Sequence, residues 1–341
     1  MHKSSAEIGI GCGIDVSARE LVAAWQSDEQ RQQRTFVNRA HGHRALIAWL
    51  RKLGGPPRVC LEATGVYSLD IALALEAAGL EVAVLNPRAV CRFAETLRRS
   101  KTDAADAQVL AEYARRMPFQ PWQPPSPAAL QLRAITRHRA ALSKQHTMQL
   151  NRLRAAEASA TVPRCVRQEL QRSLRQMEGS LCRLQRAART LVKSSPELEP
   201  RLALLISLPG VAEASALHLL AELALLPPGL DVRQWVAHSG LDPVHHQSGS
   251  SVHKPSRISR AGNPHLRHAL YMPALVAVRH DPHLRAFYHL LVARRKAKLQ
   301  ALIAVARKML HAIFGMFRSH SPYDGARLLP KLVLPPCPST A

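Results

Sequence analysis

The pattern of apolar and polar positions in the first 85 residues predicts short strands and helices in alternation. Three apolar runs separated by polar turns, one of them at 27–33, indicate a three-strand meander. The predicted elements are strands at 8–16, 21–25, 35–37, 58–63 and 81–85, and helices at 41–53 and ending near 78. A meander followed by alternating strands and helices is typical of an α/β domain of the RNase H-like (RuvC-like) type.

Proline and helical periodicity organise the remainder of the chain. Five prolines in 117–127 exclude a helix or central strand there and predict a domain boundary. Between 166 and 191 the apolar residues are spaced 4, 4, 3, 4, 3, 4 and 3, which predicts a coiled coil. With 130–153 as its partner, this segment would form an antiparallel hairpin. A spacer, a dimerising element and an arginine-rich surface along nucleic acid are all compatible with this pattern.

Mostly helical patterns follow the serine-rich break at 194–196. Residues 204–220 read as helix, Pro-Gly turn and helix, which resembles a helix-hairpin-helix element that contacts DNA phosphates through backbone N–H groups. Ala212 stands where that pattern usually has a second glycine, so a plain helical hairpin is the alternative. Amphipathic helices, notably 293–317, and a proline-rich tail over the last dozen residues close the chain. We predict three sections, 1–125, 126–198 and 199–341.

The charge of the chain points to a polyanionic partner. Its net charge is +23, and residues 1–125 carry 16 basic and 13 acidic side chains, against 31 and 11 in the rest. Such an excess favours nucleic acid as the partner of the second part. The basic run Lys254, Arg257, Arg260 and Arg267 is the predicted nucleic-acid-binding surface. An aromatic content of 4% argues against recognition of single strands mainly by base stacking.

Cysteine usage and hydropathy indicate a cytoplasmic protein. The six cysteines form no C-x-x-C pair, which disfavours both a disulfide framework and a zinc ribbon. We find no signal peptide and no run of 18 residues free of charge or proline, so a membrane role is not expected.

Four carboxylates are candidates for metal chemistry. Behind Thr102 as a helix N-cap, Asp103 and Asp106 lie on one face of the first helical turn, whereas Asp15 and Glu62 end strand-like runs. The helix dipole alone would explain an isolated acidic pair at this place. Four carboxylates at one sheet edge instead require a divalent cation, and oxygen ligands select Mg²⁺ or Mn²⁺.

Asp15 by itself would also suit the first phosphate loop of a sugar kinase. Its strand ends in D-V-S-A and lacks the glycine that such a loop needs beside the acid, which disfavours the kinase.

The chain resembles the DEDD-type insertion-sequence transposases, which are related to the Piv and MooV invertases and are described as bridge-RNA-guided recombinases. The matching motifs, in chain order, are G-I-D-V-S (13–17), L-E-A-T-G-V-Y (61–67), L-N-P (85–87), K-T-D-A-A-D-A (101–107), L-P-G-V (208–211), G-L-D-P (240–243), Q-S-G-S-S-V (247–252) and A-G-N-P-H-L-R-H-A-L-Y-M-P-A (261–274). They are collinear and extend over nearly the whole chain.

This resemblance implies a function and a set of site residues. Asp15, Glu62, Asp103 and Asp106 would bind the metal, and Ser248 would form a covalent phosphoserine link to DNA. It further implies donor and target DNA, a structured guide RNA, and a homo-oligomer, dimer or tetramer, in which the tetrad of one subunit meets Ser248 of another.

Ser248 owes its assignment to the resemblance alone, because serines in a Ser-Gly-Ser-Ser stretch are usually loop residues. Ser250 and Ser251 are the nearest alternatives. His245 and His246 would serve as a base, as zinc ligands or as simple phosphate contacts. We therefore predict a metal-dependent DNA transposase or recombinase. The alternatives are a junction-resolving nuclease that uses water and a non-catalytic nucleic-acid-binding protein.

Overall fold

The computed structural model describes residues 9–63, 65, 67–97, 103–248 and 252–329, with the backbone alone at 103–105, 245–248 and 252–256. The chain divides into two compact units, Met1–Pro124 and Pro125–Ala341, and the division lies within the proline-rich stretch 117–127. A further boundary near 198 stays a prediction. The predicted N-cap Thr102 and the proline-rich tail lie outside the described residues.

The first unit is a mixed five-stranded sheet with helices. Its elements are β1 (Gly11–Val16), β2 (Glu20–Gln26), β3 (Arg31–Val37), α1 (Ala40–Leu50), β4 (Arg58–Glu62), α2 (Leu69–Ala77), β5 (Val82–Leu85), α3 (Pro87–Leu97) and α4 (Asp103–Arg116). The strand order is β3-β2-β1-β4-β5, antiparallel from β1 to β3 and parallel from β1 through β4 to β5. The predicted meander and the following alternation of strands and helices are confirmed.

The edge strand β3 is longer than predicted, because 31–34 belongs to the strand and not to a turn. Its residues Arg31 to Thr35 are exposed, yet their backbone pairs with β2 along the whole strand, from Arg31 opposite Gln26 onwards. A solvent-facing edge strand needs no apolar alternation, so its polar residues were assigned to a turn instead of a strand. The helix α3 was also not predicted.

The last helix of the first unit lies directly on the central strand. Helix α4 packs on β1, β2 and β4, and buried Leu110 joins the core beneath it. A Cβ placed on Gly13 would collide with the backbone oxygen of Ala107 and come within 2.5 Å of the Leu110 Cβ. The close approach of strand and helix therefore requires glycine at this position.

The second unit consists of helices and one β-hairpin. Its elements are α5 (Pro127–Glu157), α6 (Arg164–Lys193), α7 (Leu198–Ser207), α8 (Glu213–Leu223), α9 (Val232–Ser239), β6 (Pro243–Ser248), β7 (Val252–Ile258), α10 (Pro264–His280), α11 (Pro282–Ala293), α12 (Lys298–Ser319) and α13 (Gly325–Leu328). The predicted pair of helices flanking a Pro-Gly turn is confirmed as α7 and α8.

The two long helices of this unit run antiparallel. Arg139 of α5 donates a hydrogen bond to Gln185 of α6, and further along α5 His146 pairs with Glu178, which lies earlier in α6. The predicted helical hairpin is therefore observed. A coiled coil in the strict sense stays a prediction.

Helix α12 supplies much of the core of the second unit. It is the one described helix with the length and apolar composition of a membrane span, but half of its most apolar window is buried. Nine of its residues are buried, and eight of these, among them Val305, Met309 and Ile313, belong to the apolar core of the second unit. This burial is typical of the core helix of a globular unit.

The segment around Ser248 differs from its prediction. The sequence indicated a small polar loop, whereas Ser248 is the last residue of β6 and its backbone pairs with Val252 of β7. Serine and histidine residues have no alternating apolar pattern, so the hairpin carried no strand signal. The "mostly helical" third section thus contains a two-stranded antiparallel element.

Replacing Gly13 by alanine should destabilise the first unit by about 2 kcal/mol or more, because α4 has to move away from β1. Urea-dependent hydrogen exchange of β1 and α4 peptides measures this loss. Gly54→Ala is the control, since a Cβ there meets nothing within 4 Å and should change stability by no more than about 0.5 kcal/mol. Equal stability of the two variants would contradict the packing described above.

Candidate functional site

Two of the predicted metal ligands lie on neighbouring parallel strands. The register of β1 and β4 places Gly13 opposite Cys60 and Ile14 opposite Leu61. The next step of this register brings Asp15 level with Glu62. Both side chains are partly buried, at the carboxyl ends of their strands. Since parallel strands end at one sheet edge, the structure brings these two acids together there.

Helix α4 adds the third carboxylate at this edge. Gly11 faces Ala111, and Gly13, two residues further along β1, faces Ala107. The helix therefore runs opposite to β1, and its first turn lies beyond Gly13, toward the end that carries Asp15. Asp106 is partly buried in this turn, and α4 begins at Asp103. The side chain of Asp103 lies outside the described residues.

Two buried polar residues that the sequence did not single out position the loops at this edge. Asn38 donates to the backbone oxygens of Ser17, in the β1–β2 turn at 2.8 Å, and of Tyr67, after β4, at 3.2 Å. His43 Nε2 lies 2.8 Å from Asn38 Oδ1, and since an amide oxygen can only accept, Nε2 is the donor. Burial lowers the pKa of His43, with Asp70 opposing this shift. An Asn followed by a helix is too common a pattern to have predicted this role.

The donor set at the sheet edge fits a hard divalent cation. Asp15, Glu62 and Asp106 contribute carboxylate oxygens, and none of these three described side chains is a thiol or an imidazole. Oxygen donors of this kind are preferred by Mg²⁺ and Mn²⁺. Their mutual repulsion falls when a cation neutralises them.

The second unit contains the hairpin of β6 and β7, which we call the Ser248 hairpin, and several arginines lie in or just after it. Arg257 of β7 and Arg260 just after it are exposed, and the side chain of Lys254 lies outside the described residues. Arg267 is partly buried, and its Nη1 donates to the backbone oxygens of Ser239 at 2.8 Å and Gly262 at 3.0 Å, while its nucleic-acid contact stays a prediction. This guanidinium thus has a structural role in addition to its charge. The side chains of Ser248, His245 and His246, and the alternatives Ser250 and Ser251, lie outside the described residues.

A buried carboxylate is hydrogen-bonded to Asn263, five residues after the end of β7. The sequence analysis did not identify this carboxylate as a site residue. The side chain of Glu222 on α8 is 1% exposed. Arg137 of α5 donates to it twice, from Nε at 2.7 Å and from Nη2 at 2.9 Å, and Asn263 donates from Nδ2 at 2.6 Å. We call Arg137, Glu222, Asn263 and the adjoining His218 and His265 the Glu222 cluster. An acid in the apolar run of α8 was its only sequence signal.

The charges in the Glu222 cluster do not favour a bound cation. Potential ligand atoms of His218, Glu222 and His265 lie within 4.8 Å of one another. Both carboxylate oxygens already accept hydrogen bonds, however, and the guanidinium of Arg137 would repel a divalent ion. Burial alone would raise the pKa of Glu222, but the hydrogen bonds from Arg137 and Asn263 outweigh it and lower that pKa. We read Arg137 and Glu222 as an ion pair whose buried carboxylate is fully hydrogen-bonded, whereas His218 Nε2 is buried without a hydrogen-bond partner.

Comparison with known proteins gives consistent matches along the chain. Residues 12–156 match a transposase family model of the DEDD IS110 type. Residues 202–289 match a model described as "Transposase IS116/IS110/IS902 family". Each unit of the structure is matched in part, and the two matched ranges include every residue discussed above as a candidate site.

Individual relatives extend this similarity over most of the chain. The pilin gene-inverting protein of Moraxella bovis is 29% identical over 317 residues, 92% of this chain and 97% of the relative. The putative transposase y4rJ of Sinorhizobium fredii is 25% identical and covers 79% of each chain. Among solved structures, T. thermophilus RuvC in complex with a Holliday junction substrate matches 33% of this chain and 99% of its own, with 16% identity and a TM-score of 0.26.

The stability of the protein should fall in mild acid because of His218. Burial lowers the pKa of its ring to about 4; Glu222 opposes this shift, while His265, His268 and Arg137 add to it. The folded ring stays neutral while the unfolded one takes up a proton below pH 6.5, so the unfolded state binds more protons and stability decreases between pH 6.5 and 4.

In His218→Gln this contribution is absent. Between pH 6.5 and 4.5 the free energy of unfolding of the variant should therefore fall by on the order of 2 kcal/mol less than that of the wild type. Urea unfolding across this pH range measures the difference. The exposed His289 on α11 provides the control, and His289→Gln should keep the wild-type slope. An unchanged slope in His218→Gln would show that His218 titrates normally.

Proposed function

Since this chain belongs to the IS110 family of transposases and is a DNA transposase or recombinase, we propose that it cuts and rejoins DNA through a serine–phosphate intermediate. Ser248 is the proposed nucleophile. The proposed metal ligands are Asp15, Glu62, Asp103 and Asp106, with Mg²⁺ as the expected ion and Mn²⁺ as its substitute. In this proposal the first unit is the RNase H-like catalytic domain and the second contributes the nucleophile.

The observation that carries this proposal is the arrangement of α4 on β1. It places the first turn of the helix, which contains Asp103 and Asp106, at the sheet edge where Asp15 and Glu62 end their strands. Acids from two strands and one helix turn, far apart in the chain, thus share one edge of the fold. Like charges in proximity repel one another, and a bound divalent cation would offset that repulsion. The convergence of these acids therefore supports the proposed metal site.

The proposed reaction conserves the energy of the phosphodiester. Ser248 Oγ forms a bond to phosphorus while the bond to one deoxyribose oxygen breaks; the serine loses its proton to solvent, and the departing oxygen gains one. A second DNA hydroxyl then attacks the phosphoserine and releases Ser248. A divalent ion held by the four acids would stabilise the charge on the attacking and leaving oxygens. The exposed Arg257 and Arg260 suit contacts with the phosphate backbone.

The proposed partners are donor DNA, target DNA and a structured guide RNA. Support for nucleic acid comes from the charge of the second unit, where most of the net +23 resides. The guide RNA and a homo-oligomer, either a dimer or a tetramer, are proposed from the family resemblance. The same resemblance implies that the tetrad of one subunit acts together with Ser248 of another. We propose a cytoplasmic location, consistent with free cysteines such as exposed Cys91 and Cys182.

One experiment separates this function from its alternatives. The protein is incubated with Mg²⁺ and a duplex carrying the ends of its element, and the products are resolved on a denaturing gel. Covalent protein–DNA species support the serine recombinase. Free nicked ends would instead indicate a nuclease that uses water, and intact DNA would indicate a binding protein without catalysis.

Ser248→Ala should abolish the covalent species while leaving DNA binding unchanged, because only the attacking oxygen is removed. Denaturing gels measure the adduct, and filter binding measures affinity. Ser250→Ala and Ser251→Ala are matched controls from the same stretch and should retain the adduct. Persistence of the adduct in Ser248→Ala, or its loss in one of the controls alone, would reassign the nucleophile.

Asp106→Asn should reduce strand cleavage at least about a hundredfold, because the amide keeps the side-chain shape but removes a metal-binding charge. DNA affinity should stay within about twofold of the wild type, as measured by filter binding. Asp70→Asn is the control, since Asp70 also lies in the first turn of a helix and is exposed. Full activity of Asp106→Asn with Mg²⁺ would refute the metal role and leave the helix dipole as the explanation.

A further inference from the structure

We propose that Glu222 and Asn263 are positioning residues that hold the base of the Ser248 hairpin. The inference rests on the proposed role of Ser248 and adds two residues to that reaction that touch neither DNA nor metal. Its evidence is a continuous set of hydrogen bonds from α8 to the first pair of the hairpin.

The first contact joins α8 to the start of α10. Asn263 is the N-cap of α10, and its Oδ1 accepts from the backbone N–H groups of His265 at 2.9 Å and Leu266 at 3.3 Å. Its Nδ2 donates to buried Glu222 Oε2 at 2.6 Å. One amide thus caps the helix and attaches it to a carboxylate. A hydrogen bond to a buried charge is among the strongest available to a neutral side chain.

The second contact joins this cap to the end of α9. The backbone N–H of Asn263 donates to the carbonyl of His238 at 2.6 Å. The preceding residue, Gly262, lies so close to that carbonyl that a Cβ would collide with it. The chain entering α10 is therefore held against the chain leaving α9. These two segments are the ones from which the hairpin emerges.

The third set of contacts closes the hairpin base. Arg260 donates its backbone N–H to the carbonyl of Gly240 at 3.2 Å. Ser259 donates its N–H to the carbonyl of Asp242 at 2.9 Å and its hydroxyl to Asp242 Oδ1 at 2.5 Å. The next residues, Pro243 and Ile258, form the first pair of β6 and β7. Arg267 reinforces the base through its two bonds to backbone carbonyls.

Arg137 connects the same carboxylate to the long helix α5. Its bidentate pair with Glu222 neutralises the buried charge, so the carboxylate accepts from Asn263 without the cost of an isolated ion. The hairpin base is thereby held by α5, α8, α9 and α10 together. Because a misplaced reacting group loses rate steeply with distance, the Ser248 position depends on this arrangement.

Asn263→Ser tests the proposal with little change to the helix cap. Serine still offers an oxygen to the first turn of α10, but it has no second group to donate to Glu222. Hydrogen exchange of the Ser259 and Arg260 amides should accelerate about tenfold, the factor expected for a lost charge-assisted hydrogen bond. Peptides from α11 and α12 should exchange at the wild-type rate.

The activity readout separates positioning from general destabilisation. With DNA at saturation, adduct formation by Asn263→Ser should slow about tenfold, while the half-saturating DNA concentration stays unchanged. Asp324→Ala is the matched control, because Asp324 caps α13 by accepting from Ala326 and Arg327 and makes no contact with the hairpin base among the described hydrogen bonds. It should alter neither readout.

Unchanged exchange at 259–260 in Asn263→Ser, or an equal increase in Asp324→Ala, would overturn the proposal. Where Asn263→Ser fails to fold, Arg267→Lys provides the second variant, since lysine cannot bond both carbonyls in the same geometry and should also accelerate exchange at 259–260. The exchange experiment uses the full-length protein without DNA, so its result does not depend on Ser248 being the nucleophile. A failure of that assignment would be seen in the Ser248→Ala adduct assay.

Discussion

The close approach of α4 to β1 is the constraint on which the first unit depends. Gly13 leaves no side chain between strand and helix, so Ala107 and Leu110 lie directly on the strand backbone. This contact determines how far the helix extends toward the carboxyl end of the sheet, and therefore where Asp106 lies relative to Asp15. Three chain segments that meet at one edge bring carboxylates together there, and the proposed divalent cation would offset their mutual repulsion.

The second unit depends on a different interaction, the buried pair of Arg137 and Glu222. Taking a carboxylate out of water is unfavourable, and the bidentate guanidinium together with Asn263 offsets that penalty. Removing Arg137 would leave the buried carboxylate without its counter-charge, so the ion pair favours the arrangement of α5, α8 and α10 seen here. The hairpin of the proposed nucleophile starts from this arrangement. The two units thus supply different parts of one proposed reaction, metal ligands from the first and the attacking oxygen from the second.

Periodicity predicted the first unit well where elements are half-buried or fully buried. Strands β1, β4 and β5 carry continuous apolar runs, and helix α1 carries a clear helical stripe, so each was located within a few residues. The start of β3 was missed because an exposed edge strand is selected by backbone pairing and not by apolar side chains. The Ser248 hairpin was missed for the same reason. Strand pairing depends on two segments, so the residue pattern of one segment alone cannot predict it.

The sequence by itself determined the composition of the site: four acids at the ends of predicted elements, a basic second half, and motifs that match one family. Charge, residue type and local spacing are encoded residue by residue, so they are readable without coordinates. Only the tertiary structure decided that Asp15 and Glu62 share a register, that Arg267 bonds the backbone of its own unit, and that Glu222 lies under the hairpin base. Each of these depends on contacts between segments 28 to 85 residues apart, and such contacts exist only after the chain has packed.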